Sequence, residues 1–470
     1  MQKFILLSPK YLLVFICIFF LFTRIYKISG IPVSVYWDEA SIGYNAYSIS
    51  TDLKDEWGKF LPIHFRAFGE FKLPVYIYAA APFVKVLGLN AFSLRLPSVL
   101  FSLGVVILTY FLAKKLSGNA NVGVLSSFFV SISPWFFIFS RTGYEATAGL
   151  MFYLFGIYLF LFNKKTWYIF FSIVSFILSA YSYNSFRIII PLTLPMLVLL
   201  EFEKLKETKV FPLILSFLII VLSIIPIYRI YKYDSGASRI QAVAASNDTF
   251  FKNYLSHFDP KFLILSGDKN LRSQQIGFGQ LYLPELILLP LGILYLIKSK
   301  SKYKLLPIIL LILGPIPAAI TKESPHALRA ISVVPFISII SATGVTALGV
   351  WIKKVRIINI VIVLIFFVLF TNYFLNFLNI YPSQSAKDWQ YEYKKIYTDY
   401  GDKFDKYDRI LISDKYAQPY IFTLFYLKYD PDKFRQEVVR NSVDQWGFST
   451  VKEFGKFEFG KFPEIVSSSR

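Results

Sequence analysis

FKLPVYIYAAAPFVKVLGLNAFSLRLPSVLFSLGVVILTYFLAKKL, residues 71–116, sets two apolar segments end to end. The second, about 95–113, runs unbroken into Lys114 and Lys115 and has the length a bilayer core demands, ~20 residues. The first, 73–90, is interrupted by Pro74, Pro82 and Lys85, the mark of an interfacial or re-entrant segment. Working outward, further apolar runs lie near 11–28, 122–139, 146–162, 166–184, 186–200, 210–228, 282–297, 305–320, 328–350 and 357–379, making eleven candidate spans. Composition agrees: 55% of the 470 residues are hydrophobic and only 17% charged, where soluble domains carry about one quarter. A disordered chain, a disulfide-rich secreted scaffold and an ordinary cytosolic enzyme are thereby excluded. The single Cys17 lies inside the first run, which excludes disulfides and thiolate zinc sites.

The formal charge of +20 is unevenly placed. Residues 381–470 carry 15 Lys and Arg against 14 Asp and Glu, whereas residues 1–380 carry 35 against 16. The excess therefore belongs to the membrane part, and nucleic-acid binding is not its explanation. Lys114/Lys115, Lys164/Lys165, Lys204/Lys206/Lys209, Lys298–Lys304 and Lys353/Lys354/Arg356 occupy alternate loops, the cytoplasmic ones by the positive-inside rule. Counting 73–90 as a span would invert every later basic loop. Arg24, Lys27, Arg229 and Lys232 run against the bias at outer ends. The first run follows Lys3 and Lys10 and is too long for a removable signal peptide, so it is expected to be an anchor with a cytoplasmic N-terminus.

The expected organisation is a membrane domain over 1–380, with outer loops at 29–94 and 229–281, followed by an extracytoplasmic domain over 381–470. Mixed charge, aromatic alternation in RILISDKY (409–416) and YIFTLFYLKYD (420–430), and the Asp430–Pro431 turn signal predict a small α/β domain there.

Ion-coupled transporters usually need an ionisable group at membrane depth, yet the middle of every candidate span lacks one. The charges that touch spans sit at their outer ends: Arg95, Arg141, Glu145, Arg187, Glu285 and Arg329. End charges commonly snorkel to the interface. Arg187 departs from that pattern, because a span taken from Tyr181 to Leu200 puts it roughly two turns below the outer edge. Together these residues predict a polar chamber open to the outer leaflet, richer in arginine than in carboxylate.

Chemistry is expected first in VYWDEASIGYNAYSI (35–49), where Asp38 and Glu39 stand side by side among aromatic residues just beyond the first span. A carboxylate held near low-dielectric surface is a good general base for a hydroxyl. A solvated acidic pair is the plainer alternative. Glu70 and Lys72 follow in GEFKLPVYIY (69–78). His64, His257 and His326 match no metal spacing, although ESPHALRA (323–330) brings His326 and Arg329 within one turn. GFGQLY (277–282) has no strand before it and forms no phosphate loop.

With these residues in place the chain resembles the protein O-mannosyltransferase and aminoarabinose-transferase group of integral-membrane glycosyltransferases, the GT-C fold. The resemblance rests on the DE pair after span one, on residues 71–116, on SRTGYEA (140–146), on AYSYNSFRIIIPL (180–192) and on SPHALRAISVVPFISIISATG (324–344), in that order along the chain. It implies a helical bundle of eleven to thirteen spans with outer-face juxtamembrane helices, polyprenyl-phosphate sugar donors and inversion at the anomeric centre. It also implies that Asp38 is the base with Glu39 beside it, and that Lys72, preceded by Glu70, lies near the donor phosphate. Arg141, Glu145, Arg187 and Arg329 match charged positions around the family's central cavity, and His326 stands beside the last of these. Where family members carry an HPP- or KPP-like triplet, this sequence has FKLP. The C-terminal domain resembles the outer domains of bacterial members, whose acceptors are varied.

The function expected is transfer of a sugar from a polyprenyl-phosphate donor to a glycan, lipid or protein hydroxyl at the outer face of the plasma membrane. Fixed cations such as Arg187, Arg329 and Lys72 can stabilise the departing phosphate; a divalent ion held by Asp38 or Glu70 is the other option. The alternative from a different class is a lipid-linked sugar translocator, which would need polar residues continuing to the cytoplasmic side.

Overall fold

The computed structural model describes residues 8–68, 70–162, 167–233, 244–442 and 449–462. In chain order the first helices are α1 (Pro9–Ile25), α2 (Trp37–Asp52), α3 (Pro74–Leu87), α4 (Ala91–Ser117), α5 (Ala120–Ile132) and α6 (Pro134–Phe137). They are followed by α7 (Ala146–Phe162), α8 (Trp167–Ala180), α9 (Asn184–Leu200), α10 (Phe202–Lys206) and α11 (Val210–Tyr233). Later helices include Glu285–Lys298, Leu306–Leu313, Val334–Trp351 and Val355–Asn379. Each of the eleven apolar runs thus falls on helix.

Length separates them. Among the described residues, α4, α11, Ile331–Trp351 and Val355–Asn379 are long and apolar enough to cross a membrane. At 1.5 Å per residue, 21–27 residues cover ~30 Å or more. The run 122–139 is no single rod: α5 and Pro134–Arg141 meet at 63°, because Pro134 has no N–H for the ladder and its ring clashes with the preceding turn. Counted as one span, the bent pair makes five. Segments α7, α8, α9 and Leu306–Ala319 are shorter apolar helices. The interrupted segment 73–90 becomes α3, whose 14 residues extend only ~21 Å.

The described residues fall into two compact units. One comprises the described residues within 1–28, 98–227 and 243–384; the other comprises those within 29–97, 228–242 and 385–470. In the first unit the central helix Ile331–Trp351 has 83% of its apolar window buried, against 11% for α11 and 22% for Val355–Asn379. Helices apolar on all sides yet uncovered are built to face lipid. The central helix crosses Glu285–Lys298 at two reciprocal glycines. A Cβ on Gly292 would come within 2.0 Å of the Ile340 carbonyl oxygen, and one on Gly344 within 2.0 Å of that of Leu288. Small residues let the two backbones approach this closely. Arg24, an apparent exception to the charge bias, is fully buried and donates to Ser140 Oγ and the Ser131 carbonyl, each at 2.7 Å.

In the second unit the tail from Ser385 onward is grouped with residues 29–97, the stretch that carries the DE pair. Trp37 N–H donates to Gln390 Oε1 at 2.9 Å, Lys394 Nζ donates to the Val33 carbonyl at 2.8 Å, and Tyr44 donates its hydroxyl to the Tyr429 carbonyl at 3.2 Å. The α/β expectation is met by a four-stranded sheet in the order β3 (Ile410–Ser413), β6 (Phe457–Gly460), β5 (Val451–Phe454), β4 (Val439–Arg440), with only β3–β6 parallel. YIFTLFYLKYD forms a helix, Pro419–Tyr426, rather than a strand. Pro419 at its first turn presets the helical φ, and burial of 419–425 throughout erases any readable period. Of the loop 229–281, residues 234–243 lie outside the described residues, and 244–281 belong to the first unit.

Candidate active site

Helix α2 starts at Trp37 after the extended Tyr36 and ends at Leu53, whose φ of +64° stops it. Asp38 and Glu39 fill its first turn, where negative charge complements the positive end of the helix dipole. Successive residues on a helix diverge by ~100°, so the two carboxylates face different surroundings. Glu39 turns inward. It and Arg95 are both 0% exposed, and the guanidinium grips it with Nε and Nη2, each at 2.9 Å. The remaining Arg95 donors reach the carbonyls of Pro32 at 3.1 Å and Ser34 at 2.7 Å. The charges of Glu39 and Arg95 are thus matched inside the protein.

Asp38 keeps 24% of its side chain exposed and pairs with Lys72, which is 4% exposed. Lys72 also bonds Glu70. The strand β2 (Phe71–Lys72) pairs antiparallel with β1 (Phe65–Arg66), and the register Phe65↔Lys72 turns the lysine to the buried face of the hairpin. The residues Asp38, Glu70 and Lys72, predicted from separate stretches of sequence, thus form one charge-assisted cluster with a net charge of −1. The ammonium bridges Asp38 and Glu70, the place where a divalent ion was the other option. Among the described residues no group of three His, Cys, Asp or Glu side chains is placed to hold a metal.

Glu56, which sequence reasoning passed over, lies in the same unit. It is 1% exposed and accepts from Tyr420 Oη at 3.2 Å and Asn45 Nδ2 at 3.4 Å. Burial pushes its pKa up to about 7, while Arg440 pulls it down. Tyr420 packs edge-on against Phe68, the residue whose ring underlies Lys72.

The first unit carries the other predicted residues, and their geometry differs from expectation. Arg141 is fully buried rather than lining a chamber. It donates to the carbonyls of Thr23 and, at 2.8 Å, Tyr26, at the C-terminal end of α1, where a cation suits the helix dipole. Glu145 is half-buried immediately before α7, at its positive end. Arg187 is the fourth residue of α9, because a turn at 181–183 delays the helix to Asn184, so it sits about one turn from the helix start rather than two. Its Nε donates to the Ala180 carbonyl at 3.1 Å, with the guanidinium 5.8 Å from the Tyr181 ring. Arg329 donates to Thr321 Oγ1 at 2.7 Å and to Glu323 at 3.3 Å.

Residues 72–255 match the family of dolichyl-phosphate-mannose-protein mannosyltransferases. In structure the chain is similar to ArnT from Cupriavidus metallidurans in the apo state, with a TM-score of 0.56 at 11% identity, covering 90% of this chain and 85% of that one. It is similar also to the Archaeoglobus fulgidus oligosaccharyltransferase, with a TM-score of 0.55 at 13% identity over 91% of this chain, and spans 64% of that protein's length. The chain shares the GT-C fold of these proteins. No curated protein matches it in sequence.

Within this GT-C chain, His326 and Arg329 join residues from the stretch 244–281, among them His257, whose spacing matched no metal motif. The His326 N–H donates to His257 Nε2 at 3.1 Å, and His257 Nδ1 lies 2.9 Å from the Asn253 carbonyl, which makes Nδ1 the protonated nitrogen. Burial pulls His257 down to about 4; burial, then Arg329, pulls His326 down to about 3. Both are neutral at pH 7. Asp268, pushed up by burial, accepts from the Ala327 N–H at 2.8 Å and fixes the same turn. Arg95, one of the charges at the span ends, is a lone cation in LRLPSVL and requires an anionic partner or water. Nothing local says that the partner is Glu39.

Proposed function

We propose that the chain transfers a sugar from a polyprenyl-phosphate donor to a hydroxyl of an acceptor at the outer face of the membrane, with inversion. The observation that carries this reading is Asp38, a partly exposed carboxylate at a helix start, hydrogen-bonded to the buried ammonium of Lys72. ArnT is known bound to undecaprenyl phosphate, and the archaeal oligosaccharyltransferase tethered to an acceptor peptide. Both support a lipid-linked donor and a separate acceptor for a chain of this fold.

In this reading the acceptor oxygen bonds to the anomeric carbon as its proton passes to Asp38. The bond from that carbon to the phosphate oxygen breaks with its electron pair, and polyprenyl phosphate leaves. Lys72 positions Asp38 and adds positive charge, and Glu70 holds Lys72. Arg187 and Arg329 are the proposed cations for the donor phosphate, with His326 in the turn that carries Arg329. The acceptor is a glycan, a lipid or a protein.

The topology that goes with this function has eleven spans, a cytoplasmic N-terminus and the tail outside. An outside-only reporter fused at Arg470 is expected to be active, and one fused at Lys302 silent; the reverse pattern removes Asp38 from the outer face. For the chemistry, the purified protein is given polyprenyl-phosphate sugars labelled in the sugar. Release of polyprenyl phosphate with label entering an alcohol supports transfer, whereas movement of the intact donor across a vesicle without cleavage replaces it with translocation.

A further inference from the structure

The second unit contains a cavity of about 380 Å³ away from the Asp38–Lys72 contact, lined by residues that include Ser34, Leu89, Asn90, Lys394, Tyr426 and Lys428. Its size lies at the lower end of small-molecule sites, about 300–1,000 Å³. Two lining residues are lysines and none is acidic. Asn90 Oδ1 accepts the N–H groups of Phe92 at 2.9 Å and Ser93 at 3.0 Å, so it caps α4. The positive end of a 27-residue helix thus also borders the cavity. Lys394 is half-buried with Nζ 2.8 Å from the Val33 carbonyl. Its pKa is lowered, first by burial and then by Arg95; the positive excess of the wall comes from the two lysines with no acidic residue beside them. Leu89 and Phe425 supply apolar surface, and Tyr426 Oη and Ser34 Oγ, 2.8 Å apart, supply hydroxyls. An anionic head on a hydroxylated body suits such a lining.

We propose that this cavity binds a phosphate or carboxylate group carried by the acceptor, which makes the acceptor class an acidic saccharide or a phosphorylated lipid headgroup. This rests on the glycosyl-transfer reading for the word acceptor, and on the cavity alone for the anion. Placement favours the acceptor side. The cavity wall includes Val35, three residues before Asp38, and three residues extend at most ~11 Å. A group anchored in the cavity is within a short glycan's length of the base. Lys394 and Lys428 come from the tail, so they also give the C-terminal segment a task in substrate choice.

The test uses the full-length protein in neutral detergent with glucose 6-phosphate, glucuronate and glucose as probes, read by calorimetry. Saturable binding of either acidic sugar but not glucose is expected. Lys394→Gln and Lys428→Gln should each weaken it about tenfold, and Lys394→Arg should restore it. Lys428 is exposed, so its variant reports even if Lys394→Gln folds poorly. The lipid source is separated in nanodiscs: lysine-dependent thermal stabilisation by phosphatidylglycerol over phosphatidylcholine, with no binding of the soluble sugars, assigns the anion to a headgroup. Glucose binding as well as its phosphate, or both glutamine variants matching the parent in every arm, overturns the proposal. Asp38→Asn should bind the acidic probe like the parent. Lysine-dependent binding in a protein that transfers no sugar would sink the transfer reading and leave the anion site standing.

Discussion

The two units treat their buried cations differently. In the first, Arg24 and Arg141 donate to backbone carbonyls and a serine hydroxyl around the end of α1. In the second, Arg95 and Lys72 face carboxylates. A guanidinium bound to carbonyls fastens one segment to another and has no proton to exchange with them. Where the partner is a carboxylate, exposure decides: Glu39 with Arg95 is sealed, whereas Asp38 with Lys72 is reached from outside. Adjacent residues on one helix turn therefore separate into a sealed pair and an accessible one.

The largest expected effect breaks or sharpens that separation directly. Asp38→Asn keeps size and most hydrogen bonding but cannot take up the acceptor proton, so turnover should fall ~10²–10⁴-fold with little change in Tm. Full activity in that variant would return Asp38 to the fastening class. Glu39→Gln should do the converse. It leaves the Arg95 charge buried without its counter-ion, a loss of ~3–5 kcal/mol by the measure of other broken buried pairs, seen as a large drop in Tm. An unchanged Tm would mean that Glu39 is not the sealed partner.

Glu56 sharpens the comparison through pH. Its carboxyl titrates at about 7 in the folded state, above the usual 4.5, so the folded chain holds the extra proton across that window. Stability should therefore decline as pH rises from about 4.5 to about 7, by ~3 kcal/mol, and stay level above it. Glu56→Gln can still accept from Tyr420 and should remove the slope, melting above the parent at pH 8 and alongside it near pH 4.5. A parallel slope in both proteins would assign the pH response to other groups. The smallest effect expected is at Arg187. Lysine there keeps the charge but loses the planar fork, so donor binding should weaken about tenfold with nearly unchanged Tm. Unaltered donor affinity would group Arg187 with Arg141 as a fastening.

Much of the fold was legible because apolar runs are a local property. Each run from 11–28 to 357–379 lies on helix, since a residue's hydropathy needs no partner to be read. What the runs hid was geometry at their ends. Pro134 bends α5 away from its continuation, and the turn at 181–183 moves Arg187 toward the end of its helix. YIFTLFYLKYD carried a false strand signal because burial on all sides leaves no period to distinguish helix from strand.

The sequence by itself determined a membrane protein of many helices, the asymmetry of its basic loops, and the candidates Asp38, Glu70 and Lys72, because composition, charge bias and short motifs are additive along the chain. Only the tertiary structure decided that Glu39 belongs to Arg95, 56 residues away, and that the tail packs with the loop holding Asp38. Those pairings depend on the 100° step between neighbours on α2 and on which distant segments meet its faces. No local pattern records either.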